Sequence, residues 1–444
     1  MSKENKKDTT GWKNEDFLQM CNWVERELMG YSGTQRLHKN ACLRLQGLRK
    51  GQSMANNSHE MYGQYPIDVI FNTFKANKYV ILKAIKGKTF NSEDQKKLCT
   101  YHHKLILTEV IPAYQELADS LESLRGTGKS SRGLAFFEGG REYYLYLLQS
   151  QTGTYVPVGQ IEKRLSAQLL SDYREISSLL KQNSSLIDRL NQCSGELTLT
   201  PTQMLEKLPE LMKKDFPELK DATYELRTVH PSMKKFLSPA FYLTPPVDTR
   251  TPNVIYINDS GRTSSLELFG TLAHEGFPGH LYQTVSFAEN NPSDIRYLVT
   301  SSGYVEGWAT YVESYGYEYA ASLMNDPDSA KNAVRLAWLN RSMNLCIYSL
   351  IDIGIHYRGW DAARTAVFLK AFGINNASTA AEIYQYIVET PGNYLKYYWG
   401  YLNFLDLKTV CQKRLGDDFD LKEFHRRILD IGPVQFPVLE KYMK

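Results

Sequence analysis

The stretch His274-Glu-Gly-Phe-Pro-Gly-His280 carries the pattern on which the fold and the chemistry of this chain depend. It follows Ser264 to Ala273, whose apolar spacing predicts a helix that runs into the motif. A His-Glu pair followed by another His is typical of zinc hydrolases, in which two imidazoles bind the metal and the Glu activates its water. The motif therefore predicts a site for one zinc ion, with His274 and His280 as ligands and Glu275 as the general base.

The spacing of the two histidines differs from that of an ordinary zinc-hydrolase helix. His280 follows His274 by six residues instead of four. At about 100° per residue, a straight helix would place these side chains on different sides. Pro278 lacks a backbone donor and Gly279 has relaxed dihedral limits, so this pair can bend the chain. We therefore expect a kink at Pro278-Gly279 that brings His280 back toward His274.

A third ligand is expected from the segment Gly303 to Glu313, which contains two acids seven residues apart on one helical face. Glu306 is flanked by the small residues Gly303 and Gly307, which would leave room for a metal nearby. Glu313 lies two turns further along and is suited to a hydrogen bond that orients a ligand. Two histidines and a glutamate leave one coordination position for water, which is the pattern of catalytic zinc sites.

Each of these residues alone would have a simpler explanation. A single histidine is more often a satisfied polar residue than a ligand, and a single glutamate is usually part of a solvated helix face. Five of the nine histidines have no supporting pattern and are assigned no role: His38, His59, His102, His103 and His425. Only the combination of motif, kink and downstream acid predicts a metal site.

Outside this region, the sequence predicts mainly helix with a small sheet. Two segments repeat apolar residues every three or four positions, which predicts helices with one buried face. The residues of the first segment are Leu107, Val110, Tyr114, Leu117, Leu121 and Leu124. Those of the second segment are Ile161, Leu165, Leu169, Ile176 and Leu180. Alternation over Tyr224 to Thr228 and the β-branched run Val254 to Ile257 predict the sheet. Loops are expected at 126–133, 153–158, 198–201 and 245–246, where Gly, Pro, Ser and Thr cluster.

These patterns lead to three expected regions. Residues 1–12 form a polar, disordered tail, residues 13–220 an N-terminal helical lobe, and residues 221–444 a lobe with the metal site and the sheet. The two lobes are expected to form one continuous structural unit. Within the first lobe, Gly126-Thr-Gly-Lys-Ser130 resembles the end of a phosphate-binding loop, but Ser123 stands where that loop needs glycine. We interpret it as a surface turn.

Composition excludes several classes of protein. The formal charge is +3 from 52 basic and 49 acidic residues, which disfavours a nucleic-acid binder that relies on phosphate neutralisation. No run of eighteen apolar residues occurs, so a transmembrane helix is not expected, and residues 1–10 show no export signal. The six cysteines are far apart and read as reduced, mostly packed thiols of a cytoplasmic protein, although a trimmed signal would leave the same sequence. The sequence does not define an oligomeric state.

At the motif residues, the sequence resembles the bacterial domain-of-unknown-function family 885, whose pattern is approximately H-E-x-x-P-G-H-H-x-Q followed by E-G-W-A-x-Y-x-E. The matching segments are His274 to Gln283 and Glu306 to Glu313. The resemblance covers most of the chain and includes Tyr242, Pro245-Pro246, Tyr256-Ile-Asn258, Asp352 to His356, Gly359-Trp360, Pro391-Gly392, Tyr397, Gly400 and Phe419 to Leu429. One departure is Leu281, which stands where the pattern has a second histidine, so we assign the ligand bond to His280.

The resemblance implies a mainly α, gluzincin-like zinc peptidase fold with a cleft between helical lobes, to which the residue patterns add a small β-sheet insert. In outline, this fold is related to carboxypeptidase Taq and the oligopeptidases. Two residues are candidates for stabilising an oxyanion: Tyr397, and His356, which follows Asp352 by four residues. Tyr397 could equally be one of many packing tyrosines, and Asp352 with His356 could equally form a buried polar pair.

Three functions remain open from the sequence: a zinc peptidase acting on short peptides, a metal-dependent hydrolase of another amide or ester, and an inactive helical binding protein. Glu275 favours the first two, because a binding protein needs no general base beside the metal. We also expect a substrate wall formed by Tyr256, Trp308, Tyr397 and Trp399. The strand Val254 to Ile257 is expected to pair with the backbone of an extended peptide.

Overall fold

The computed structural model describes residues 92–123, 131–229, 234, 237–246, 250–293, 295–299 and 301–443. The chain divides into two compact units, one comprising residues 1–129 with 229–237, and the other residues 130–228 with 238–444. The expected tail at 1–12 and the turn at Gly126–Ser130 lie outside the described residues. The predicted boundary between two lobes at residue 220 stays a prediction, because much of the predicted first lobe, residues 13–220, lies outside the described residues.

In the first unit, the described helices are α1 (Ser92–Leu105) and α2 (Ile111–Ser123), joined by the π-helical turn Ile106–Val110. The predicted helix is therefore present, with an irregular turn inside it. A π turn adds a residue and rotates the following face. Accordingly, Ile106 is buried and the predicted core residue Leu107 is exposed.

The second unit is mostly helical, as predicted. The helices are α3 (Gly140–Thr152), α4 (Val158–Gln182), α5 (Leu186–Glu196), α6 (Pro201–Leu211), α7 (Ser265–Glu275), α8 (His280–Glu289), α9 (Ile295–Leu298), α10 (Ser302–Ala321), α11 (Pro327–Ile353), α12 (Ala362–Lys370), α13 (Ala377–Glu389), α14 (Asn393–Leu415), α15 (Leu421–Ile431) and α16 (Phe436–Met443). Short 3-10 turns span Leu134–Phe136, Met212–Lys214 and Gly416–Asp418, and a π turn spans Gly354–Arg358. The predicted loops at 153–158 and 198–201 separate helices in the structure.

The core of the second unit forms around α10, which packs against α7, α11 and α14. Tyr304, Trp308 and Tyr311 of α10 are fully buried. A helix with apolar residues all around its circumference is an interior helix. The predicted buried face of α4 also belongs to this core, because Ile161 and Leu165 have no exposed surface.

Within the described residues, the sheet has three strands, β1 (Tyr224–Thr228), β2 (Ala240–Leu243) and β3 (Asn253–Ile257), in the order β1-β3-β2. β3 pairs with β1 in parallel and with β2 in antiparallel orientation. The sequence predicted β1 and β3 but missed β2, whose four apolar residues lie between prolines and show no alternation. Because both edges of β3 are occupied, the expected pairing of a substrate with Val254 to Ile257 is wrong. Among the described residues, β1 and β2 are the two outer strands, and β2 is the one that packs against α7.

Two further expectations concern membrane spans and cysteines. None of the helices in the described part of the chain is long and apolar enough to cross a membrane. The four cysteines in that part, Cys99, Cys193, Cys346 and Cys411, are free thiols, and the last three are buried. The prediction of reduced, mostly packed cysteines is therefore confirmed for these four, while Cys21 and Cys42 lie outside the described residues.

Candidate metal centre

The predicted break between the two histidines is present. α7 begins at a capping box formed by Ser264 and Glu267 and ends at Glu275, and α8 begins at His280. A Cβ atom on Gly279 would lie 1.8 Å from the carbonyl oxygen of His274, so only glycine allows this tight turn. The turn brings the two imidazole rings to a centroid distance of 4.8 Å at an interplanar angle of 88°.

The glycines around Glu306 serve helix packing and do not leave space for a metal, contrary to the expectation from sequence. A Cβ atom on Gly303 would lie 2.2 Å from the carbonyl oxygen of Thr152. One on Gly307 would lie 2.5 Å from the backbone of Gly400 in α14. The first contact brings α10 close to α3, and the second lets α10 and α14 cross with their backbones touching. The crossing fixes the position of Glu306 relative to α14.

His274, His280 and Glu306 converge, with one potential ligand atom from each within 4.8 Å of the others. Oε2 of Glu306 lies 3.8 Å from Nε2 of His274 and 3.4 Å from Nε2 of His280. Ligands of a tetrahedral zinc ion with bonds of about 2.1 Å lie about 3.4 Å apart. The donor types and these two separations therefore fit zinc, after small side-chain adjustments.

Glu313 approaches His274 from the opposite side of the ring. Its Oε2 lies 3.3 Å from Nδ1 of His274, and its Oε1 accepts a hydrogen bond of 3.0 Å from Nε of Arg341. A carboxylate on the far nitrogen of a ligating histidine fixes the orientation and the tautomer of the ring. Arg341, for which the sequence shows no motif, holds that carboxylate in place.

The electrostatics of this cluster favour a positive charge between the carboxylates. Burial alone would lower the pKa of His274, but its hydrogen bonds with Glu306 and Glu313 outweigh burial and raise the pKa to about 10. Burial alone would raise the pKa of Glu306, yet Lys396 and the two histidines hold it well below its usual range. Without a metal, the cluster therefore keeps a proton on His274, and a bound cation would take the place of that proton.

Glu275 lies at the end of α7, next to the first histidine of the motif. Its Oε2 accepts a hydrogen bond of 2.8 Å from the backbone N–H of Tyr242 in β2. The charge of this carboxylate acts on the imidazole of His274. The missed strand β2 thus fixes the proposed general base at the edge of the sheet.

α14 brings two side chains to the same cluster. The ring of Tyr397 is stacked beside that of His274 at a centroid distance of 6.3 Å. Nζ of Lys396 lies 3.6 Å from Oε1 of Glu306. Tyr397 was a candidate from sequence, whereas Lys396 was missed because its proximity to Glu306 depends on the crossing of α10 and α14.

The structure does not bring His356 to this cluster. Its Nδ1 accepts a hydrogen bond of 3.1 Å from the N–H of Leu134, and its Nε2 lies 2.9 Å from the carbonyl oxygen of Ile387. The ring is fully buried, and burial lowers its pKa to about 4. With both nitrogens bound to backbone groups, His356 is placed as a structural residue, which corrects its expected part in catalysis.

Asp352 forms its own buried site at the beginning of α14. It accepts hydrogen bonds from the hydroxyl of Tyr144 and from the N–H of Gly392, the residue that precedes α14. The predicted i,i+4 pair with His356 is therefore not a catalytic pair. Asp352 instead anchors the helix that carries Lys396 and Tyr397.

The expected aromatic wall is largely absent. Trp308 has no exposed surface, and its Nε1 donates to the carbonyl oxygen of Pro278 at 2.9 Å. Tyr256 is 3% and Trp399 6% exposed, so neither can line a substrate site. Only Tyr397 keeps a partly exposed position. The pattern of aromatic residues around the motif therefore reflects core packing more than binding.

The sequence matches the family described as "Bacterial protein of unknown function (DUF885)" over residues 33–443. The chain belongs to this family. Among curated proteins, none matches it.

The solved structures that are similar to this member of DUF885 include two proteins of bacterial origin. One is described as "the putative lipoprotein from Colwellia psychrerythraea", with 19% identity, a TM-score of 0.67, and coverage of 85% of this chain and 68% of the other. The second, "a putative lipoprotein of unknown function from Shewanella oneidensis", has 16% identity, a TM-score of 0.54, and coverage of 85% and 73%. At these identities, the similarity shows a shared fold and nothing about activity.

Proposed function

We propose that this DUF885 protein is a zinc-dependent hydrolase that cleaves short peptides, with His274, His280 and Glu306 as ligands and Glu275 as general base. The observation that carries the proposal is the convergence of two imidazoles and one carboxylate, backed by Glu313 on the far nitrogen of His274. A three-residue ligand set leaves a coordination position for water or substrate, as catalytic zinc sites require.

The mechanism follows from where the side chains lie. When bound, a zinc ion would supply Lewis-acid polarisation of a carbonyl group and activation of a water molecule. Glu275 would accept the proton of the attacking water and deliver it to the leaving amine. The hydrogen bond from the N–H of Tyr242 holds the Glu275 carboxylate for this purpose. Tyr397, beside His274, is the candidate donor to the developing oxyanion.

The sheet supports a peptide substrate. Among the described strands, β2 lies at an edge of the sheet, and the amide of Tyr242 on this strand contacts the proposed general base. An extended peptide that adds to such an edge would run past Glu275, because main-chain pairing aligns it with the strand. The edge strand beside the metal centre therefore favours a peptide over a compact ester or amide.

Two other functions remain candidates: hydrolysis of a non-peptide amide or ester, and binding without catalysis. Purified protein should be analysed for zinc content and incubated with a mixed pool of short peptides. We expect about one zinc per chain and peptide cleavage, and replacement of Glu275 by Gln should reduce cleavage about a hundred-fold or more while zinc is retained. Zinc without peptide cleavage would favour another amide or ester, and cleavage that survives Glu275→Gln would exclude this mechanism.

The cellular location is part of the proposal. The buried free thiols favour the cytoplasm. The names of the two similar structures favour a lipid-anchored protein outside it. Fractionation of cells that express the full gene would decide between these locations.

A further inference from the structure

Arg341 of α11 uses only one of its three guanidinium nitrogens in its contact with Glu313. Its Nε donates to Oε1 of Glu313 at 3.0 Å, and within the described residues Nη1 and Nη2 form no hydrogen bond. By comparison, Arg335 of the same helix donates to Glu175 from both Nε and Nη2, at 2.6 and 2.9 Å. Arg341 therefore keeps two nitrogens with N–H groups that can bind a further acceptor.

The guanidinium group of Arg341 lies in a recess and not on an open surface. Its side chain is 44% exposed, so solutes can reach it. Glu313 raises the pKa of Arg341, while burial opposes this shift, which means that protein surrounds the charged group. An N–H donor that is accessible and yet partly desolvated binds a charged acceptor more strongly than the same donor on an open surface.

Three half-buried tyrosines lead from Arg341 to the proposed metal centre. The charge of Arg341 acts on Tyr348 and Tyr394, whose rings pack edge to face at a centroid distance of 4.9 Å. Tyr394 and Tyr397 are three residues apart on α14, so they are neighbours on one face of the helix. Tyr397 in turn lies 6.3 Å from the ring of His274. A row of tyrosine side chains therefore connects Arg341 with a proposed metal ligand.

We propose that Arg341 binds the C-terminal carboxylate of a short peptide, so that this protein cleaves peptides close to their carboxyl end. The inference rests on the proposed zinc-hydrolase function. Nη1 and Nη2 of a guanidinium group present two N–H donors side by side, which match the two oxygens of a carboxylate. The row of tyrosines would contact the residues between the cleaved bond and the chain end.

The contacts of Arg341 also limit the length of the peptide segment that is removed. With ordinary bond lengths, the path from its Nη atoms through Glu313 and His274 to an ion at the metal centre is at most about 15 Å. An extended chain advances about 3.3 Å per residue, so up to about four residues span this distance. We therefore expect cleavage within the last four residues of a peptide.

Three N-acetylated octapeptides of alternating Ala and Ser test whether the bound carboxylate is the chain end. The first has a free C-terminal carboxylate, the second is an amide, and the third is an amide with Glu as its seventh residue. Calorimetry measures their binding to the zinc-loaded Glu275→Gln protein, in which the peptides should stay intact. Mass spectrometry of the products of the wild type identifies the cleaved bond.

The variants are made in the Glu275→Gln protein. Arg341→Gln removes the charge and the paired donors, whereas Arg341→Lys keeps a charge for Glu313 but lacks the paired donors. Arg335→Lys is the matched control, because Arg335 is a 37% exposed arginine on the same helix that is already paired with Glu175. Circular dichroism establishes that each variant is folded, and zinc titration shows that its metal centre is intact.

The parent protein should bind the free acid about ten-fold more tightly than either amide, because the carboxylate forms charge-assisted hydrogen bonds. Arg341→Gln should abolish this preference, Arg341→Lys should reduce it at least about three-fold, and Arg335→Lys should keep it. Equal binding or no binding of the three peptides overturns the inference, as do tighter binding of the Glu peptide, a preference that survives Arg341→Lys, or cleavage outside the last four residues. Absence of zinc binding in the wild type would instead reject the proposed function itself.

Discussion

Glu313 and His274 are coupled by a contact of 3.3 Å between Oε2 and Nδ1, while the opposite nitrogen of the same ring faces Glu306. Glu306 and Glu313 lie two turns apart on α10, so one rigid helix supplies both a proposed ligand and the group that orients another. The geometry of the centre therefore depends on the position of α10 relative to α7.

Replacement of Glu313 by Gln should weaken zinc binding by about ten- to a hundred-fold, because the amide no longer provides the charged partner of the histidine N–H. Calorimetric titration of the metal-free protein with zinc measures the change. Glu318→Gln is the control, since Glu318 is exposed on the same helix. Equal zinc affinity in the two variants would show that the Glu313 contact does not support the metal.

The crossing of α10 and α14 gives a prediction about stability. Gly307→Ala places a methyl group 2.5 Å from the backbone of Gly400, so the helices must move apart. Overpacking of this kind costs about 1–3 kcal/mol in the free energy of unfolding, and zinc affinity should fall as Glu306 is displaced. Urea unfolding and zinc titration measure the two effects.

Gly195→Ala is the matched control for this substitution. Gly195 lies within α5, and nothing lies within 4 Å of a Cβ atom placed there. Alanine at that site should leave zinc affinity unchanged and stabilise the protein by up to about 1 kcal/mol, because it lowers the entropy of the unfolded chain. A Gly307→Ala protein as stable as this control would contradict the account of the helix crossing.

Burial raises the pKa of Asp352 from 3.8 to about 7, although hydrogen bonds from Tyr144 and Gly392 oppose the shift. Between about pH 4 and 7, the carboxyl group of Asp352 is therefore protonated in the folded chain and ionised in the unfolded chain. The contribution of Asp352 to stability is therefore present below pH 4 and is lost as the pH rises toward 7.

Asp352→Asn should remove this dependence, because the amide stays neutral and its oxygen can still accept from Gly392. Relative to the wild type, the variant should gain as much as about 4 kcal/mol in the free energy of unfolding between pH 4 and pH 8. Urea unfolding of both proteins at the two pH values tests this, since contributions of other titrating groups cancel in the difference. An unchanged difference would mean that Asp352 is ionised in the folded protein.

The sequence was sufficient to predict the helical class, the break between the histidines and the strands β1 and β3. These features follow from local patterns, such as the apolar spacing from Ser264 to Ala273 and the Pro278-Gly279 pair, which act within one or two turns. β2 was missed because its four residues between prolines carry no periodicity that separates strand from loop.

The site was less predictable where it depends on contacts between distant segments. Lys396 reaches Glu306 only because Gly307 and Gly400 let two helices touch. His356 and the tryptophans had plausible chemistry, but their burial is set by packing that a single sequence does not record. His274, His280 and Glu306 do converge as expected. The two histidines could be placed together because the Pro278-Gly279 pair between them already implies a bend.

The central claim, that His274, His280 and Glu306 bind one zinc ion, is tested most directly by calorimetric titration of the metal-free protein with zinc. Wild-type protein should bind one equivalent, and His280→Ala should lose at least about a hundred-fold in affinity while it remains folded, because it removes one of three ligands. No binding by the wild type, or equal binding by His280→Ala, would contradict the account.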